Sequence, residues 1–254
     1  MDTSKYDLKG RVAIIVGGAG DLGKAIGHAL ADAGADIVVA DRRQDVMEEA
    51  VKELNGHGTR VGPVFIDLGK VDSFPELVDS VVKDFGRIDI LVNCAGASFI
   101  VPMLEMAEKQ WDVVMNVNVK GPAFLTRLVA KVMIDQGKGG SIINMASYMG
   151  LKTEENLGPY CTSKAAMLHL TRCMAKEWGK HNIRVNAIAP GWVYSRLADP
   201  FLGMPGINER MLSQSVIGRF GKPEDVAAIA LYLASDAAAN TTAGVFPLDY
   251  GMLI

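Results

Sequence analysis

The chain has 254 residues, 49% hydrophobic and 22% charged, with a formal net charge of −3. That is enough for one well-buried α/β domain, and it gives no electrostatic case for nucleic acid or an anionic membrane surface as partner. Met1 to Asp7 lacks an apolar signal core, no apolar stretch is long enough to span a bilayer, and Cys94, Cys161 and Cys173 form an odd, unpatterned set, which together favour a reducing cytoplasm.

Arg11 to Val16 ends in Val12-Ala13-Ile14-Ile15-Val16, a β-branched run with no polar face, as a buried parallel strand requires. Gly17-Gly18-Ala19-Gly20-Asp21-Leu22-Gly23 follows, then a helical stretch from Lys24 to Ala33 closed by Gly34, then a second apolar strand, Asp36 to Ala40, ending at Asp41. Gly18-x-Gly20-x-x-Gly23 in this strand–turn–helix–strand–acid setting fits the dinucleotide fingerprint. Its glycines admit a pyrophosphate to a helix N-terminus, and Asp41 stands near the distance expected for gripping ribose hydroxyls. Such a turn without a ligand is the plain alternative.

The alternation continues. Val64 to Leu68 reads as a strand and Phe74 to Phe85 as an amphipathic helix stopped by Gly86. Ile88 to Val92 is a buried strand running into Asn93-Cys94-Ala95-Gly96, and Ala107 to Lys138 is helical in pattern with a break or kink at Gly121-Pro122. Ser141 to Met145 is a strand leading to Ser147, a helix carries Tyr160 and ends near Gly179, and Arg184 to Ala189 is a strand leading to Pro190-Gly191. Arg196 to Val216, rich in Gly, Pro and Met, has the composition of a lid; Asp225 to Ala234 is a last helix and Gly244 to Leu248 a last strand. This order predicts one dinucleotide-binding domain over residues 1–254, built on a doubly wound, mostly parallel sheet of the Rossmann type.

Tyr160 and Lys164 are four apart on the predicted helix and so share one face. A phenol of pKa ~10 is a poor base at neutral pH; an ammonium one turn away favours the phenolate and is expected to lower that value. Ser147 offers a hydroxyl to hold a substrate oxygen beside the phenol. A Tyr-x-x-x-Lys pair alone occurs by chance in many helices; it gains meaning from the dinucleotide turn. His28, His57, His169 and His181 are scattered, so no metal site is expected.

With these marks in order, the chain resembles the short-chain dehydrogenase/reductase family over essentially its whole length. The marks are the glycine turn, Asp67-Leu68, Asn93-Cys94-Ala95-Gly96, Asn118, Ser147, Tyr160-x-x-x-Lys164 and Pro190-Gly191. The resemblance implies that Tyr160 is the general acid/base, that Lys164 lowers its pKa and holds the nicotinamide ribose, and that Ser147 orients the substrate oxygen. It implies that Asn118 supports a water linking Lys164 to solvent. Cofactor contacts would come from Gly17, Gly18, Gly20, Asp21, Leu22, Gly23, Asp41, Arg42, Asp67 and Leu68, and from Pro190, Gly191, Val193 and Ser195, while Asn93, Ala95 and Gly96 would line the cofactor and brace the sheet. A homotetramer is implied in the same way.

The chain departs from the family pattern at Val16, Asp21, Cys94, Ser195 and Tyr250. Of these, Asp21 bears most on function, because a carboxylate beside a pyrophosphate is unfavourable. The resulting expectation is an NAD-dependent oxidoreductase interconverting a secondary alcohol and a ketone. The alternatives are an NAD(P)H-dependent ketone or 3-oxoacyl reductase and, from another class, a non-catalytic NAD(H)-binding regulator or scaffold. Candidate substrate-pocket residues are Ser98, Phe99, Tyr148, Lys152, Glu154, Glu155, Trp192, Tyr194 and Arg196. If the three loop charges face inward, a polyol, sugar or hydroxy acid is favoured; their other reading is a solvated loop.

Overall fold

The computed structural model describes residues 3–254, so Met1 and Asp2 lie outside the description. The elements run β1 (Val12–Val16), α1 (Asp21–Asp32), β2 (Asp36–Asp41), α2 (Gln44–Leu54), β3 (Val61–Phe65), α3 (Phe74–Phe85), β4 (Ile90–Asn93) and α4 (Glu108–Met115). They continue with α5 (Gly121–Gln136), β5 (Gly140–Met145), α6 (Gly158–Trp178), β6 (Ile183–Pro190), α7 (Asp199–Leu202), α8 (Ile207–Ser213), α9 (Pro223–Ala234) and β7 (Val245–Leu248).

All five residues of β1 are buried because both faces of the sheet are covered. Alternate side chains serve opposite layers. Ala13 and Ile15 pack with Ile26 and Leu30 of α1 and Val226 and Ala230 of α9. Val12, Ile14 and Val16 pack with Leu77 and Val81 of α3 and Leu125 and Val129 of α5. Each such fully buried aliphatic side chain contributes roughly 1.5–3 kcal/mol, so these two layers hold the sheet between its helices.

The strands form one parallel sheet of seven in the order β3-β2-β1-β4-β5-β6-β7. The chain winds outward from β1 to β3, crosses back to β4, and winds outward again to β7. Neighbouring strands β1 and β4 therefore send their connections to opposite sides, and a crevice opens beyond their C-terminal ends. The glycine turn, Cys94-Ala95-Gly96, Ser147 and Gly191 all follow strand C-termini, so the fold alone gathers them at that edge.

The structure moves some expected boundaries. α1 starts at Asp21 rather than Lys24, with Gly20 as N-cap. The third strand is Val61–Phe65, and Asp67 and Leu68 lie in the loop beyond it. This edge strand, with Gly62 and Pro63 inside it and partly exposed residues, pairs only with β2, so burial did not dictate its pattern. α2 was not anticipated; Val46, Met47, Ala50, Val51 and Leu54 form its apolar face, interleaved with charged residues. The long helix over 107–138 is not broken at Gly121-Pro122. It passes instead through one π-helical turn, Asn116–Lys120, and Gly121 continues into α5.

Candidate active site

A cleft of about 640 Å³ lies along the C-terminal edge of the sheet, a volume in the range of cofactor and ligand sites. At one end, Gly17 adopts φ +78°, which only glycine takes without strain, and its N–H donates to Ala40 O at 2.7 Å. A Cβ on Gly23 would overlap the Gly17 carbonyl, so the helix can begin this close to the turn only with glycine there. α1 has no side-chain N-cap, which leaves its first-turn N–H groups as donors for an anion.

Gly17, Gly20, Asp21, Leu22 and Gly23 line the cleft. Gly18 does not: it lies against the sheet, where a Cβ would sit 2.8 Å from Ile15 O and 3.1 Å from Val39 Cγ1. Here a glycine is needed because a larger side chain would not fit.

Further along, Asp41, Arg42, Asp67, Leu68, Ala95 and Gly96 line the wall. Asp41 is 7% exposed, and its Oδ1 accepts from the Arg43 N–H at 3.1 Å and from Arg43 Nε at 3.3 Å. Asp67 Oδ1 accepts from Gly69 N at 3.0 Å, which shapes the loop after β3. Asn93 is not part of the wall. It donates to Thr126 Oγ1 at 2.9 Å and Asn144 Oδ1 at 2.8 Å, bracing β4 against α5 and β5.

At the far end stand Ser147, Tyr160 and Lys164, all lining the cleft. Ser147 leaves β5 in extended conformation and accepts from Met149 N at 3.2 Å, capping the short turn Tyr148–Gly150. α6, with Pro159 in its first turn, carries Tyr160 and Lys164 on one face. Lys164 is 3% exposed; its ammonium donates to Met145 O at 2.8 Å and lies 5.5 Å from the Tyr160 ring centroid.

Asn118 projects from the π-helical turn, a deformation that often marks functional positions. Its Oδ1 accepts from Ala97 N at 2.7 Å, and its Nδ2 donates to Ala97 O at 2.9 Å and Ser163 Oγ at 2.9 Å. Asn118 thus ties the strand-β4 loop to α6. Gly96 sits between Asn118 and Lys164, where a Cβ would be 3.7 Å from both Asn118 Oδ1 and Lys164 Nζ. Ser163, missed in the sequence, completes this brace and donates back to Tyr160 O at 2.7 Å.

The electrostatics correct one expectation. Burial pushes the Tyr160 phenol up to about 12, with hydrogen bonding to Ser147 pulling the other way. Burial also brings Lys164 down to about 8, opposed by Cys94. Desolvation is thus the largest influence on the phenol in the cofactor-free protein.

The sign of the pH dependence follows. In the acid/base role that the resemblance implies for Tyr160, alcohol oxidation would need the phenol deprotonated to take a proton, and ketone reduction would need it protonated to give one. Below about pH 12 the phenolate is the minor form, so raising pH through the neutral and mildly alkaline range is expected to accelerate oxidation and not reduction. kcat/KM profiles in both directions check this; oxidation that slows as pH rises would contradict it.

Ser98, Phe99, Tyr148, Trp192 and Arg196 line the substrate end, together with the unanticipated Leu157, Leu197 and Phe201. Trp192 stacks on Phe201 with centroids 4.9 Å apart and rings 5° from parallel. Tyr194 and the loop residues Lys152, Glu154 and Glu155 are not among the lining residues. Lys152 Nζ donates to Gln214 Oε1 at 3.1 Å and Met252 O at 3.2 Å, and Arg210 donates to Glu154 at 2.8 Å. These two charges fasten the 196–216 segment, so they supply no polar pocket wall.

Pro190, Gly191, Val193 and Ser195 follow the end of β6 along the same cleft. Gly191 is pressed against the chain after β7, where a Cβ would meet Asp249 Cα at 2.8 Å. Ser195 Oγ donates to Val193 O at 3.2 Å and fixes the bend into the 196–216 segment.

The family described as Enoyl-(Acyl carrier protein) reductase matches residues 17–253. The chain is 38% identical over 247 residues to a 3-oxoacyl-(acyl-carrier-protein) reductase of Thermotoga maritima, covering 97% of this chain and 99% of that one. It is 37% identical over 253 residues to 2-dehydro-3-deoxy-D-gluconate 5-dehydrogenase of Escherichia coli, with 100% and 99% coverage. With the NAD-dependent glycerol dehydrogenase of Listeria innocua it shares 34% over 250 residues, 98% of this chain and 96% of the other. Among solved structures, a short-chain type dehydrogenase/reductase from Mycobacterium marinum superposes with TM-score 0.94 at 34% identity, covering 98% of each chain. A gluconate 5-dehydrogenase from Burkholderia cenocepacia in complex with NADP and tartrate gives TM-score 0.95 at 27% identity, covering 99% and 98%.

Proposed function

The chain belongs to the short-chain dehydrogenase/reductase family, as an oxidoreductase of alcohol and ketone groups, and from that premise we propose that it oxidises a small polar secondary alcohol with NAD. The observation that carries the reading is the convergence of Ser147, Tyr160 and Lys164 on one cleft with the glycine turn and Asp41. A scaffold that only bound the dinucleotide would have a use for Lys164 but none for a phenol and a serine hydroxyl placed beside it.

The residues present fit the cofactor. The glycine turn and the α1 N-terminus would hold the diphosphate, Asp41 the adenosine ribose hydroxyls, Asp67 and Leu68 the adenine, and Lys164 the nicotinamide ribose. Val193 and Ser195 would meet the carboxamide. When bound, the oxidised nicotinamide accepts the hydride and brings a positive charge that favours a nearby phenolate. Ser147 holds the substrate oxygen, and Tyr160 takes the hydroxyl proton. Asn118 keeps the Ala97 backbone and Ser163 in place, and we assign it the support of a water leading from Lys164.

The relatives' named substrates, among them gluconate derivatives and glycerol, support a polyol, sugar or hydroxy acid. Reduction of a ketone or 3-oxoacyl group is the second reading, favoured by the Thermotoga relative. Assaying polyols, sugar acids and hydroxy acids against lipophilic alcohols and 3-oxoacyl thioesters, in both directions, separates the two. Turnover confined to the lipophilic or thioester set would overturn the first.

The preference for NAD over NADP rests on Asp41. A 2′-phosphate beside this buried carboxylate meets a like charge. NADP stands in the Burkholderia neighbour's site, and Arg42 and Arg43 are cations of the kind that grip phosphate; here, however, Arg43 is engaged by Asp41 itself. kcat/KM is expected to favour NAD by at least about tenfold, and Asp41→Ala to erode or reverse that ratio. Equal use of NADP by the unmodified protein would contradict the assignment.

We further propose a cytoplasmic homotetramer in which the 196–216 segment serves as substrate lid. The three cysteines are free, and among the described residues no helix is long and apolar enough to cross a membrane. Light scattering is expected to give four times the 27.2 kDa chain mass; a value near that of one chain would overturn the assembly.

A further inference from the structure

Asp21 occupies the first position of α1, where a helix N-terminus favours an anion. A diphosphate laid on the glycine turn claims the same ground. Arg196 stands between these claims. Arg196 donates its backbone N–H to Asp21 Oδ2 at 2.8 Å, places Nε 3.4 Å from Asp21 Oδ1, and donates Nη2 to Ala19 O at 2.9 Å.

The contact joins residues 175 apart in sequence and fastens the start of the 196–216 segment to the glycine turn. Both residues line the cleft, and their side chains remain 50% and 30% exposed for Arg196 and Asp21. An incoming anion can therefore reach the guanidinium. The carboxylate that now holds it would be the anion's neighbour and rival.

We propose that Asp21 and Arg196 set cofactor affinity as a competing pair. Asp21 holds Arg196 against the turn in the free protein, and Arg196 passes to the dinucleotide's diphosphate on binding. This deepens the reading of the cleft as an NAD(H) site and rests on it. The two side chains then act with opposite sign: removing the rival carboxylate tightens cofactor binding, and removing the cation weakens it. A pair that merely anchored the lid would weaken binding whichever member was lost.

The test measures NADH affinity by fluorescence in the full-length protein and in the Asp21→Asn and Arg196→Met variants. In the cofactor-free proteins, amide hydrogen exchange is followed at Arg196. Asp21→Asn is expected to tighten NADH by about two- to fivefold and Arg196→Met to weaken it by a similar factor, the range of exposed ion pairs. Adenosine, which has no phosphate, should show neither change. The Arg196 amide should exchange several-fold faster in Asp21→Asn, because its acceptor's charge is gone.

Weakening of NADH by both variants, or an equal response with adenosine, would overturn the proposal. So would an Arg196 amide that exchanges at the same rate in Asp21→Asn. Failure of the unmodified protein to bind NADH or NADPH would instead overturn the cofactor reading. The exchange rates, measured without cofactor, keep these two failures apart.

Discussion

Tyr160→Phe is expected to lower kcat by about two to four orders of magnitude, the range contributed by a positioned general acid/base, while NADH affinity and the fold stay close to those of the unmodified protein. The substitution removes one hydroxyl and keeps the ring packed against the buried cluster that includes Tyr148, Leu157, Cys161 and Trp192. Steady-state kinetics, NADH titration and thermal unfolding on the same preparation check all three parts. A variant that kept more than a few per cent of the original rate would show that the proton goes elsewhere, and Tyr160 would then be only part of the pocket wall.

Lys164→Ala is expected to lose both turnover and cofactor affinity, because its ammonium is assigned two partners, the phenol's environment and the nicotinamide ribose. The rate should fall by at least about a hundredfold, and NADH should bind about tenfold or more weakly, as befits a lost charge-assisted hydrogen bond. The contrast with Tyr160→Phe is the informative part. If Lys164→Ala slowed turnover but bound NADH normally, the ribose contact would be wrong and only the electrostatic role would stand. Because Lys164 is buried and donates to Met145 O, its loss also leaves that carbonyl without its donor. Unfolding of each variant must therefore be measured alongside its kinetics.

What was legible in the sequence follows from how local each signal is. β1, β4, β5 and β6 are central strands covered on both faces, so they are continuous apolar runs and could be read directly. Tyr160 and Lys164 act from one turn of a single helix, and Ser147 directly follows a strand, so spacing alone placed them. β3 is an edge strand paired on one side, and the apolar run that drew attention there begins three residues late. α2 hides its buried stripe among Asp, Glu and Lys. Asn93 braces the sheet as expected, and its partners Thr126 and Asn144 are visible only in the structure.

The electrostatic reading failed for a different reason. Spacing put an ammonium near the phenol, but it could not tell that burial dominates Tyr160. The Asp21–Arg196 contact was out of reach for lack of any periodicity linking two residues so far apart. Asp21 stood out only as an unexplained departure in a glycine turn, and its partner appeared once Arg196, at the start of the 196–216 segment, was seen fastened to that turn. Likewise, Lys152 and Glu154 could be read as pocket wall or solvated loop, and the structure assigns them to neither: they fasten the 196–216 segment.

The central claim is that this cleft moves a hydride from a carbinol carbon to a nicotinamide while Tyr160 takes the proton. With the best alcohol from the substrate panel, deuterated at its carbinol carbon, the label should appear at C4 of the reduced nicotinamide, with a slowed rate where chemistry limits turnover. Label released to solvent, or turnover that leaves the nicotinamide unlabelled, would contradict the account.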